Sequence, residues 1–96
     1  MNRATTLQLL RTHKAHLAKA FGVTELAVFG STARDAEGRS SDIDILVSFD
    51  GPATSERYFG VQFYLEDLLG RSVDLVTRKA LRAELRSTIE HEAIHV

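Results

Sequence analysis

Ninety-six residues, 44% of them hydrophobic and 26% charged, describe a globular chain with room for one modest core and none for a second folded unit of ordinary size. Twelve Lys+Arg against 13 Asp+Glu leave a net charge of −1, which argues against direct nucleic-acid binding on a broad basic surface. The absence of cysteine excludes a disulfide framework and a thiolate metal site, and no apolar run approaches membrane-spanning length.

The amino-terminal stretch MNRATTLQLLRTHK lacks a signal-peptide core, so the cytoplasm is the expected compartment. A helix is predicted from Thr5 to Phe21, because Leu7, Leu10, Leu17 and Phe21 recur at helical spacing; Gly22 suits its C-terminal cap. His13 and His16, three apart, read as solvated surface residues. A strand follows at Leu26–Phe29, then a Gly30-Ser31 turn opening a short helix from Thr32 to Ala36. Arg34 is placed to pair with a phosphate oxygen or with its acidic neighbours Asp35 and Glu37.

The second strand, Ile43 to Ser48, begins beside two aspartates. Alternation puts Asp42 and Asp44 on one face and Ile43, Ile45 and Val47 on the other. Alternate strand positions lie about 6.6 Å apart, so two like charges are forced close together unless a cation sits between them. Oxygen-only ligation suits Mg²⁺ or Mn²⁺ better than Zn²⁺. The plainer reading, a turn cap plus a solvated strand start, is weakened by the glycine upstream, which lets backbone approach a ligand beside helix N–H groups suited to phosphate.

After the DGPAT turn, a helix is predicted from Ser55 to Leu69, its stripe of Tyr58, Val61, Leu65, Leu68 and Leu69 broadened by Phe59 and Phe63, with Glu66 and Asp67 on the wet side. Residues 71–77 have strand character, and an aspartate among them, Asp74, must face water or a cation. The remainder, Lys79 to Ile94, is predicted as one helix with Leu81, Leu85, Ile89 and Ala93 on one side. Its first half is basic and its second half acidic, and His91 and His95 read as fraying surface groups.

Gly30-Ser31, ten residues, then Asp42-x-Asp44 resembles the signature of the polymerase-β-like nucleotidyltransferase superfamily. The detail GSTAR…SDIDILV is more narrowly similar to the minimal nucleotidyltransferases, small proteins typically encoded beside a HEPN-domain partner. The resemblance implies an α+β fold with α/β-like alternation, a small mixed sheet flanked by helices, formed by residues 1–96 as a single domain. It implies that Asp74 completes an acidic triad, helping to bind the catalytic metal and to activate the attacking hydroxyl. Two Mg²⁺ ions on Asp42, Asp44 and Asp74, with the phosphates of ATP at Gly30 and Ser31, would then serve AMP transfer.

The same resemblance implies an antitoxin that modifies a tyrosine of a HEPN toxin within a hetero-oligomer. Asp35 departs from it, standing where many relatives have glycine, and an extra acid there would weaken phosphate binding. The competing reading is a binding module that neutralises its partner by complex formation, its aspartates vestigial. An adenylyltransferase acting on a small molecule ranks below both.

Overall fold

The computed structural model describes residues 2–33 and 42–96. Helix α1 spans Arg3–Phe21, starting two residues before the predicted Thr5 because Asn2 caps it: its side-chain oxygen accepts from the Thr5 N–H at 2.8 Å. Gly22 ends it at φ 74°, donating its N–H to the Ala18 carbonyl at 3.0 Å. Strand β1, Val23–Phe29, is longer than its sequence pattern suggests, since Val23 already pairs with Phe49 across an irregular step in register. A four-residue helix α2, Gly30–Ala33, follows; the predicted continuation to Ala36, together with Arg34, Asp35 and Glu37, lies outside the described residues.

Strand β2 is Ile43–Phe49 and helix α3 is Ser55–Leu69, the latter as predicted, with Thr54 Oγ1 accepting from the Arg57 N–H. Strand β3 is Val73–Thr77. The tail is not one helix. A 3₁₀ turn at Arg78–Ala80 leads to helix α4, Ala83–Glu92, and a short strand β4, Ile94–His95. Leu81 causes the break: it is buried beneath the sheet with extended backbone, φ −65° and ψ 130°, so the four-residue spacing that suggested one helix is interrupted and Leu85 is left 49% exposed.

The strands order as β3-β2-β1-β4 in one mixed sheet, β1 running antiparallel to β2 and β4, and β2 parallel to β3. One face carries Val28, Ile43, Ile45, Val47, Val73 and Leu75, sealed by Leu7, Leu10 and Leu17 of α1 and Val61, Leu65 and Leu69 of α3. Each fully buried aliphatic side chain stabilises the fold by about 1.5–3 kcal/mol. The other face holds Ala27, Phe29 and Leu46 under Leu81, with Val76, Ile89 and Ala93 alongside. Strand alternation places Asp44 with Leu46, and Asp74 with Val76, on this second face.

Four polar side chains read as solvated in the sequence find partners. His13 Nδ1 lies 2.5 Å from the Tyr64 hydroxyl, while His16 stacks on the Tyr64 ring. Glu66 accepts from the Val73 N–H at 2.9 Å, joining α3 to the start of β3. His95, on β4, meets Glu25 at 2.8 Å. Among the described residues, no helix is long and apolar enough to cross a membrane.

Candidate active site

Asp44 and Asp74 are register partners on parallel neighbouring strands, so their Cα atoms lie about 4.8 Å apart. Nothing in the local pattern of either strand dictates this pairing; it follows from β3 docking beside β2 after the α3 crossover. Asp42 stands exposed just before β2, near enough to act on Asp44 electrostatically. Burial, then the charge of Asp74 and a hydrogen bond to it, push the Asp44 carboxyl up to about 6, with Asp42 and Glu92 adding to the rise. Negative charge is thus crowded at this edge of the sheet, and the crowding disfavours the ionised form of Asp44.

Phe29, the last residue of β1, is the antiparallel partner of Asp44, so Gly30 turns directly over that carboxylate. Gly30 has φ 69°, and a Cβ there would collide with Asp44 Oδ2. Glycine is thus demanded twice, by conformation and by the acid beneath it. Ser31 continues into α2 by its backbone; Arg34 lies outside the described residues. Arg3 steadies the far end of α2, donating from Nη1 to the Ala33 carbonyl at 3.0 Å.

Glu92 is a site residue that the sequence reading passes over. Its Oε1 accepts the Gly30 N–H at 3.0 Å, and its charge raises Asp44 further. It was legible only as part of an acidic helix end, because the contact spans 62 residues and depends on α4 folding back across the second face. The backbone N–H assigned to phosphate is thus occupied by a carboxylate.

The donor chemistry suits a hard divalent cation. Asp42, Asp44 and Asp74 offer only oxygens, and the like charges that raise Asp44 are those a divalent cation would offset. As they stand, no three acidic or histidine side chains among the described residues converge closely enough to grip one ion. A cavity of about 160 Å³ opens elsewhere, lined by Val47, Phe49, Thr77 and Lys79 among others, at the opposite ends of β2 and β3 from these acids. It is mostly apolar and plays no part in this chemistry.

A mixed sheet that presents acids side by side at the starts of adjacent strands, under a glycine turn, is the arrangement of a nucleotidyltransferase with the polymerase-β-like fold. Residues 10–96 match the family model of the nucleotidyltransferase domain, and the chain belongs to that family. It is 39% identical over 88 residues to protein adenylyltransferase MntA of Thermococcus cleftensis, covering 92% of this chain and 89% of that one. A solved minimal-nucleotidyltransferase structure superposes with a TM-score of 0.83 at 35% identity, covering 98% of this chain and 95% of the other. The fold also recurs in an MNT antitoxin complexed with a tri-AMPylated HEPN toxin from Shewanella oneidensis, with a TM-score of 0.60, 20% identity, and coverage of 98% and 67%.

Proposed function

We propose that this chain, working as a single minimal domain, transfers AMP from ATP to a tyrosine hydroxyl of a HEPN-domain toxin and so acts as its antitoxin. The observation that carries this reading is the in-register pair Asp44–Asp74 beneath Gly30. It is supported by the adenylyltransferase name of a 39% identical relative, and the partner by a structural neighbour complexed with an AMPylated HEPN toxin. ATP as donor puts the reaction in the cytoplasm.

Asp42, Asp44 and Asp74 would hold the two Mg²⁺ ions. Bound there, Mg²⁺ would neutralise phosphate charge and make the acceptor hydroxyl more acidic. The Gly30-Ser31 turn receives the β- and γ-phosphates, with Ser31 donating its hydroxyl and Arg34 pairing with a phosphate oxygen. Glu92 must yield the Gly30 N–H if that group is to join them. The acceptor oxygen attacks the α-phosphorus, its proton passes to Asp74, and the α–β bridge breaks to release pyrophosphate.

The second reading, neutralisation by complex formation alone, draws on the lack of a ready metal-gripping trio among the described residues and on the occupied Gly30 N–H. Incubation with labelled ATP, Mg²⁺ and the HEPN protein of the neighbouring gene separates the two. Label on the partner that disappears with Asp42→Ala and Asp44→Ala is the expected result. Neutralisation without label, unchanged by those substitutions, would establish the binding module instead.

A further inference from the structure

Helix α3 does not spend its aromatic residues evenly. Tyr58 turns inward and donates to the Leu75 carbonyl at 2.5 Å, and Gly60 is overlain so closely by Phe21 that a Cβ would collide with its ring. Val61, Leu65 and Leu69 are buried, and Gln62 and Glu66 are turned toward Val73. What remains exposed beyond Ser55 is a single ridge along the outside of the helix: Glu56, Phe59, Phe63, Asp67. Phe59 is 48% and Phe63 64% exposed, and their rings stack with centroids 6.2 Å apart and planes 24° from parallel.

This ridge does little for the fold. Phenylalanine is a poorer helix former than Lys or Glu at a wet position, and two rings exposed to this extent forgo about half or more of their burial energy. Single exposed hydrophobic residues need no explanation, but an adjacent pair bracketed by acids one turn away on either side is a patterned surface. Its chemistry is an aromatic centre with a negative rim, matching a partner surface with apolar residues at the middle and Lys or Arg at the edges.

A second copy of this chain is a poor match. In a two-fold antiparallel pairing of the ridge, Phe59 of one copy meets Phe63 of the other, and Glu56 then meets Asp67, acid against acid at both ends. Joining the ridge to the basic start of α4, around Arg82 and Arg86, would match charges, but that head-to-tail contact builds rings or open arrays rather than a closed pair.

We infer that the Glu56–Phe59–Phe63–Asp67 ridge of α3 is the surface on which this chain holds its HEPN-domain partner, an inference that rests on the partner proposed above. The ridge lies across the sheet from Asp44 and Asp74, because α3 covers the first face and the acids stand on the second. Holding the partner and modifying it are therefore separate contacts, and a partner seated on α3 leaves the acidic site of the same copy open.

Titration calorimetry of the purified chain against the neighbouring gene's HEPN protein tests this. Phe63→Asp is expected to weaken binding by about thirtyfold or more, as loss of a central aromatic anchor does. The double change Glu56→Lys/Asp67→Lys keeps both rings. It is expected to weaken binding at low salt, with the loss shrinking at high salt. Both variants should retain the wild-type circular dichroism and Mg²⁺–ATP affinity. Wild-type binding by both variants would overturn the ridge while sparing the partner, whereas no complex with the unaltered chain would overturn the partner and, with it, the ridge as its docking surface. Self-association of the chain alone, dispersed by Phe63→Asp, would assign the ridge to a second copy and overturn the inference.

Discussion

Glu25 and Asp44 stand on the same face of the same sheet, on adjoining strands, and their surroundings drive them in opposite directions. Glu25 receives two hydrogen bonds from Arg78, at 2.7 and 2.6 Å, one from the Ser48 hydroxyl at 2.8 Å, and a contact from His95 at 2.8 Å. Arg78 holds its carboxyl down at about 2 even though burial pulls the other way, and the same pairing pushes the Arg78 guanidinium higher. Asp44 is pushed up to about 6 by burial first and then by the acids that are its charged neighbours. An acid that the fold satisfies is a clamp; here Arg78 also reaches Glu90, so the Glu25 end ties α4 and β4 to the sheet. An acid that the fold leaves unsatisfied is one that a ligand must complete.

The largest expected contrast is catalytic. Asp44→Ala should reduce AMP transfer by about a thousandfold or more, in keeping with removal of a metal-holding carboxylate. Glu25→Gln should leave transfer per folded molecule unchanged. Labelled-ATP assays on samples matched for folded fraction check both, and equal losses would erase the distinction between the two ends.

Next in size is stability. Glu25 is only 22% exposed, and Glu25→Gln should cost about 1–3 kcal/mol after discounting for solvent screening, seen as a melting temperature about 5–15 °C lower at neutral pH. Its folded pKa lies below the ordinary 4.5, so this contribution is fully present above that pH and is lost as pH falls toward about 2. Melting curves of the two proteins should therefore converge across that interval.

Asp44 should show the reverse sign. Its folded pKa is raised, so its opposition to folding is absent below the ordinary value of 3.8, grows as the pH rises from there, and is complete above about 6. Without divalent cation at pH 7.5, Asp44→Asn should stabilise the chain by about 1–2 kcal/mol, a gain that vanishes below about pH 4. Added Mg²⁺ should raise the melting temperature of the unaltered chain more than that of the variant. Denaturant melts at pH 7.5 and below about pH 4 read the first two, and thermal melts with Mg²⁺ or chelator read the third.

The smallest effect belongs to Glu92. Glu92→Gln keeps an acceptor for the Gly30 N–H but removes a charge near Asp44. Stability should stay within about 0.5 kcal/mol while Mg²⁺–ATP binds about two- to fivefold tighter. Weaker ATP binding in this variant would make Glu92 a participant in the site rather than an obstacle to phosphate.

Much of this was legible in the linear pattern. Alternation around Ile43 separated Asp44 from the core face, the bounds of α3 came from its stripe between the DGPAT turn and Gly70, and the Gly30-Ser31 and Asp-x-Asp spacing gave the family. Period and turn chemistry are local, so they survive without tertiary knowledge. Phe59 and Phe63 extend the apolar stripe yet stand outside the core for a physical reason: periodicity assigns a side chain to an arc of the helix, and the width of the buried arc is set by the neighbours that cover it.

What only the tertiary structure decided were the relations between distant segments. The register that sets Asp74 beside Asp44, the return of Glu92 to the Gly30 N–H, the seating of Leu81 that splits the tail, and the pairing of β4 with β1 all join stretches tens of residues apart. Each depends on how strands align and which face a helix covers, quantities that no single segment carries in its own sequence.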